Sequence, residues 1–296
     1  MSPAPDSQTL LATVEESPAA VAVHDREAWL ELFSPDAEVC DPVGSRPNRG
    51  RAELTAFYET FIAPNDITFH VDHDVVVKDT VGRNSVSGNT VFRDLTLETV
   101  MGGRSGPNGT TAPDDVALQV PMHLRYDVVD VEGRGRSEDL RLSLLHAHWE
   151  LPSMIRQLLG HGPSGMLAGT KLVPLLMRNQ RISGSIGYAR AFQRAGRTGK
   201  TAAYNVFTAL STGQDDTLDE ILVSGTRIET PGRGDGAGES VREFASRGHD
   251  LQWRKLISAG MTVTATIELD GERGVALFDF GRRHDLINRV RLFLPS

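Results

Sequence analysis

Residues 37–58 read AEVCDPVGSRPNRGRAELTAFY, and the fold turns on this stretch. Glu38, Val39 and Cys40 predict a short strand that ends at Asp41-Pro42. Pro42 steers Asp41 out of the helical region, so its backbone is held extended while its carboxylate is free to project into a cavity. The loop Val43 to Arg49 follows, and Gly50 opens an amphipathic helix with Leu54, Phe57 and Tyr58 on one side. Taken alone, an aspartate at a strand end is a turn former. Its surroundings decide whether it is more.

Upstream, Gln8 to Val23 predicts a helix broken into by Pro18, and Asp25 predicts the N-cap of a second helix through Phe33. Downstream, Ile67 to Val77 alternates: Ile67, Phe69, Val71, His73 and Val75 on one face, Thr68, His70, Asp72 and Asp74 on the other. His70 and His73 therefore point to opposite faces and do not form a metal set. Val86–Val100, Val116–Val131 and Leu140–Trp149 predict further strands. A Gly/Pro/Asn/Thr/Asp cluster from Met101 to Asp115 predicts a long loop, and Gly133-Arg134-Gly135 a turn. Helices followed by a curved antiparallel sheet make an α+β cone with a pocket.

Residues 153–196 lack a strand pattern. Met154–Leu159, Met166–Met177 and Ile186–Phe192 read as helical segments of a connector. After it the first pattern returns in worn form. Ala202–Leu210 and Thr217–Leu222 predict helices, and Ile228-Glu229-Thr230-Pro231 stands where Val39-Cys40-Asp41-Pro42 stood. Glu239–Ser246 predicts a helix, and Thr262–Leu269, Gly274–Phe280 and Leu286–Leu294 predict strands. The expected organisation is a first domain over 1–152, the connector, and a degenerate copy over 197–296.

A chain of 296 residues suits two domains. Its net charge of −8 argues against nucleic acid as the general partner. The single cysteine, Cys40, excludes an internal disulfide and a cysteine-rich zinc site. No secretory leader opens the chain and no apolar run reaches membrane-spanning length, so a cytoplasmic protein is expected. Ala195 to Thr201 (AGRTGKT) imitates a phosphate loop, but Arg194 replaces its first glycine and the segment before it reads helical. Arg190, Arg194, Arg197 and Lys200 read as a helical stripe, either a solvated face or a seat for an anionic ligand.

Asp-Pro-Val-Gly-Ser, then Gly50, then Phe57-Tyr58, resembles the bacterial ketosteroid isomerases of the SnoaL-like, NTF2-like superfamily. The resemblance runs from Ser17 through His24-Asp25, Leu32-Phe33 and Asp36-Ala37 to Tyr58, and resumes from Val120 to Trp149. It covers about half the chain and implies two tandem NTF2-like cones, a hydrophobic small-molecule substrate, no cofactor, and an allowance for a homodimer through the sheets. It makes Asp41 the catalytic base of a double-bond isomerisation, with Tyr58 in the supporting network and Trp149 and Phe33 along the substrate.

The family's oxyanion tyrosine falls on Ser17 and its protonated aspartate on Met122, and neither can donate in the same way. Losing one such donor typically costs about 10²–10³ in rate. His123 and His70 are the candidate replacements. In the second domain Tyr204 and Asp279 fall near the two donor positions, but Thr230 replaces the base, which suggests decay into a structural or dimerising unit. Epoxide-opening cyclases of polyether biosynthesis resemble the same fold, sometimes as two fused copies, and would pair Asp41 with Asp72 or Asp74. A non-catalytic ligand carrier is the third reading.

Overall fold

The computed structural model of the chain describes residues 5–78, 89–101, 116–132, 137–160, 195–213, 218–233, 238–281 and 286–296. Two side chains start the helices at the N-terminal end. Asp6 accepts from the Thr9 N–H at 2.7 Å and caps α1 (Ser7–Ala22); Asp25 accepts from the Ala28 N–H at 2.9 Å and caps α2 (Arg26–Glu31). The chain then runs β1 (Phe33–Cys40), β2 (Asn48–Arg49), α3 (Gly50–Phe57), β3 (Asn65–Val77), β4 (Asn89–Met101), β5 (Val116–Asp130), β6 (Leu140–His148) and α4 (Leu151–Gly160). The six strands form one sheet in the order β2-β1-β6-β5-β4-β3, antiparallel except for the β1–β6 pair. Leu10, Val14, Trp29, Leu54 and Phe57 of the helices pack on Leu95, Val120, Leu124 and Leu145 of this sheet.

The uniform alternation expected along Ile67–Val77 does not hold. The β3–β4 register shifts between Val71 and His73, and a one-residue bulge exchanges the faces of everything beyond it. Ile67 and Phe69 therefore face the helices, whereas Val75 and Val77 face away from them, in a separate cluster with Phe92, Val275, Leu277 and Phe293. Val71 is left exposed.

The second half repeats the plan: α5 (Gly196–Thr212), α6 (Leu218–Ile221), β7 (Arg227–Glu229), β8 (Glu239–Ser240), α7 (Val241–Ser246), β9 (Leu251–Ala259), β10 (Thr262–Leu269), β11 (Glu272–Phe280) and β12 (Ile287–Phe293). Its sheet order, β8-β7-β12-β11-β10-β9, copies the first, again with one parallel pair, β7–β12. The molecule is thus α+β, with two six-stranded sheets and packing helices, as two tandem NTF2-like cones require. Strand β9 was not expected from sequence, and Glu239-Ser240 is strand rather than helix. The expected loop over 102–115, the Gly133-Arg134-Gly135 turn, and the helical segments Met166–Met177 and Ile186–Phe192 lie outside the described residues, as do Arg190 and Arg194.

Strand register gives the correspondence between halves. Val39 pairs with Asn48 and Leu145; Ile228 pairs with Glu239 and Val290. Two residues on, Thr230-Pro231 occupies the place of Asp41-Pro42. Tyr126 pairs with Leu145 and Phe278 with Val290, so Phe278 stands for Tyr126 and, by counting, Leu294 for Trp149 and Gly274 for Met122. Asp279 corresponds to Asp127, not to the donor position the sequence assigned it, and it pairs with Arg291 at 2.6 Å. Tyr204 is half exposed and sits edge-on to Trp253, so it does not line the second core.

The outer faces of the two sheets pack against each other. The apolar cluster around Phe92 and Phe293 surrounds a polar centre. His123 is fully buried, its Nδ1 2.8 Å from Thr264 Oγ1 and its Nε2 3.0 Å from Thr266 Oγ1. Thr266 donates to Asp94 at 2.6 Å, and Lys255 Nζ reaches the same carboxylate at 2.5 Å. Burying such groups without partners is costly, and here each has one. The outer face of the first sheet is thus covered by the chain's own second half. Among the described residues, no helix is long and apolar enough to cross a membrane.

Candidate active site

The first half encloses a cavity of about 140 Å³ between its helices and the inner face of its sheet, room for far more than one water. Val21, Phe57, Phe61, Ile67, Phe69, Leu97, Val120, Leu124 and Leu145 give it apolar walls; its polar lining is Ser17, Asp41, Asn65, Thr99, Tyr126 and the Trp149 ring nitrogen. Of the residues singled out in the sequence, Asp41, Trp149, Met122 and Ser17 meet at this cavity.

Asp41 arrives there because β1 ends beside β6. Cys40 pairs with His146, and three residues on the Val43 N–H donates to the Ala147 carbonyl at 2.8 Å. Glu38 ties the three strands together: Arg49 and His146 bond its carboxylate at 2.5 and 3.0 Å. The His146 bond, with Arg49 behind it, holds that carboxyl down to about 2 against the opposing effect of burial. The Asp41 carboxyl is walled in by protein, and the surface left to the residue opens into the cavity. Burial pushes it up to about 6, although the Trp149 Nε1–H donates to Oδ1 at 2.5 Å and works the other way. A carboxylate with one donor in apolar walls is the arrangement that raises an acid toward neutrality.

Four expected site residues are elsewhere. Tyr58 packs 5.6 Å from Trp29 and turns its hydroxyl away from the cavity, with no hydrogen-bond partner among the described residues. Its backbone N–H still bonds the Leu54 carbonyl, so the regular turn of α3 sets its direction, toward a surface cleft that it lines with Asp25 and Glu59. A π-helical turn begins there, with the Ala63 N–H on the Tyr58 carbonyl at 2.9 Å, and Phe61 and Ile62 of that turn line the cavity with Phe57. Phe33 backs the Trp29 ring at 4.6 Å from behind the cavity wall. His123 is on the outer face of β5, where period-two alternation puts it opposite Met122 and Leu124. His70 is exposed on β3, 3.7 Å from Glu98. The two candidate second acids are also engaged: Asp72 with Arg254 at 2.7 Å and Asp74 with Arg93 at 2.8 Å.

One residue was missed. Tyr126 is 1% exposed, lines the cavity beside Ser17, and follows Met122 and Leu124 on the same face of β5. That alternation was readable in the sequence, and it runs on from the very position where a donor was sought.

The second half reaches the first beside this site. The N–H of Ser258 donates to Glu150, the neighbour of Trp149, at 3.0 Å, and Lys200 pairs with the same carboxylate. Gly260, at φ +55° in the β9–β10 turn, lies against Gly44 in the loop after Asp41.

Known proteins similar to this chain match about half of it. A Mycobacterium sp. Δ5-3-ketosteroid isomerase is 26% identical over 49% of this chain and 96% of its own, with a TM-score of 0.36. A Mycobacterium tuberculosis protein in complex with estradiol-17beta-hemisuccinate is 22% identical over 49% of this chain and 96% of its own, TM-score 0.35. An epoxide hydrolase/cyclase-like enzyme of pyran ring formation in the polyether salinomycin is 19% identical over 50% of this chain and 95% of its own, TM-score 0.35. None of the curated protein sequences compared matches the chain. Residues 14–134 carry a SnoaL-like domain.

Proposed function

We propose that the first half of the chain, residues 1–152, is a cofactor-independent acid/base catalyst acting on a hydrophobic small molecule, with Asp41 as the base. The observation that carries this reading is a single carboxyl, raised to about 6 and held by one donor, in a cavity with mostly apolar walls. Such a group is ionised at neutral pH yet basic enough to take a proton from carbon beside a carbonyl. The reaction that suits one mobile carboxyl is isomerisation of a β,γ-unsaturated ketone. Asp41 removes the proton between the double bond and the carbonyl, the electron pair moves onto oxygen as an enolate, and the protonated Asp41 returns the same proton to the far carbon. Nothing is consumed. The apolar walls favour a steroid-like or polyketide ketone.

Epoxide opening is the second reading, because a carboxyl near 6 is also partly protonated and able to give a proton to an epoxide oxygen. The engagement of Asp72 and Asp74 with arginines weighs against it. The test is conjugated-enone formation from a Δ5-3-ketosteroid, followed by ultraviolet absorbance. The expected result is turnover by wild type and its loss in Asp41→Asn. Steroid binding without turnover in wild type would overturn isomerisation and leave epoxide opening or plain carriage.

A further inference from the structure

A base alone does not stabilise the negative oxygen that forms when it acts, and both positions at which the resemblance places donors lack them here. The cavity has other polar groups, and their places differ. Thr99 lies eight residues along β4 from Val91, the partner of Tyr126, which is about 25 Å at 3.3 Å per residue. Asn65 pairs with Met101 at the same far end, and its amide is turned to the Phe61 carbonyl at 2.9 Å. Of these three, Tyr126 is the one close enough to Asp41 to feel its charge. Its strand is two away from β1 across β6, about 10 Å between backbones, so the two side chains can face a ligand from adjacent walls.

Tyr126 is also prepared to donate. The Trp29 Nε1–H donates to Ser17 Oγ at 3.2 Å, and Ser17 in turn shares a hydrogen bond with the Tyr126 hydroxyl. The Ser17 hydroxyl works on the phenol as a donor, the sense in which it opposes the upward push of burial, and a Ser17 proton on the tyrosine oxygen leaves the tyrosine proton for a ligand. Each bond in such a chain polarises the next. Trp29, Ser17 and Tyr126 are 1%, 3% and 1% exposed, so water does not compete for these bonds. Burial also pushes the phenol up to about 12, so it stays protonated through the neutral range and acts only as a donor.

We infer that Tyr126, fed by the Trp29–Ser17 pair, is the hydrogen-bond donor to the ligand's carbonyl oxygen in this cavity. It takes the part that Ser17 and Met122 cannot play, and Ser17 becomes a positioning residue. The inference rests on the reading of Asp41 as the base. The class of ligand it implies is a hydrophobic molecule with an acceptor oxygen at one end.

The test uses the full chain and a saturated 3-ketosteroid with an isotope-labelled carbonyl, read by infrared difference spectroscopy. Wild type is expected to lower the carbonyl stretch on binding. Tyr126→Phe should abolish the shift, and Asp41→Asn should keep it. In turnover, Tyr126→Phe should lower kcat by about 10²–10³ with KM within about threefold, the pattern of an interaction made mainly as charge develops. Ser17→Ala should weaken the shift and raise the Tyr126 titration seen by ultraviolet difference, which a purely structural serine would not do. No shift in wild type, no binding of the ketone, or a shift that survives in Tyr126→Phe overturns the inference. Turnover retained in Asp41→Asn overturns the base reading instead, and the infrared result then still decides Tyr126.

Discussion

The two halves share one strand order and one register, yet they spend it differently. At the end of the first strand stands Asp41 in one half and Thr230 in the other; across the cavity Trp149 becomes Leu294 and Tyr126 becomes Phe278. Two of the replacements delete a polar group outright, and the third puts a hydroxyl where the carboxyl stood. The second core accordingly closes on itself, with Phe207 stacked on Trp253 at 5.2 Å and set edge-on to Phe278 at 5.0 Å. What the second half supplies is contact: its sheet covers the outer face of the first, and Ser258, Gly260 and Lys200 abut the segments that carry Asp41 and Trp149.

The largest effect should separate the halves directly. Asp41→Asn is expected to lower kcat for enone formation by about 10²–10⁴, the usual worth of a positioned general base, while Thr230→Val leaves it unchanged. Next comes the buttress. A β-carbon at Gly260 would stand 2.7 Å from Gly44 Cα, and the backbone there has φ +55°, so something must shift. Gly260→Ala should therefore cost about tenfold or more in kcat although it lies in the half without a base, as small misplacements of reacting groups do. Unchanged kinetics in a folded Gly260→Ala protein would reduce the second half to a passenger.

The contact between the sheets should be acid-sensitive. Burial holds His123 down to about 3; the Asp94 carboxylate opposes this, and Lys255 and Arg254 reinforce it. The folded state then binds fewer protons than the unfolded one between about 3 and the ordinary histidine value of 6.5. Stability should fall as pH drops through that window, by at most about 1.4 kcal/mol per pH unit for this group, and His123→Gln should flatten the slope of Tm against pH. The smallest effect concerns Asp41 again. A carboxyl raised from 3.8 to about 6 favours the protonated folded state, so ionising it destabilises the protein as pH rises through that range. Asp41→Asn should stabilise by about 1–3 kcal/mol at pH 8 and by little at pH 4, measured by chemical unfolding.

Much of this was legible from residues alone. Asp41-Pro42 between a short strand and a helix, and its echo at Thr230-Pro231, gave the repeat and the position of the carboxyl. One misreading arose where a residue was inserted into a regular period: the bulge after Val71 reversed half of β3. Tyr58 was misplaced because it stands at the border of the apolar face of α3 and turns to the outer cleft. Strand β9 escaped notice because Leu251–Ala259 does not alternate cleanly; Lys255 sits at φ +54°, beside a register shift against β10. No local pattern announces that His123 will meet Thr264 and Thr266, because that contact exists only once the two sheets have packed.

Carbon-13 NMR titration of aspartate-labelled protein, with Asp41→Asn to assign the signal, reads the state of the Asp41 carboxyl directly. A resonance that titrates near 6 is the expected result. A midpoint in the ordinary range near 4 would mean that water reaches Asp41, and the apolar, base-bearing cavity would not be the feature that distinguishes the first half from the second.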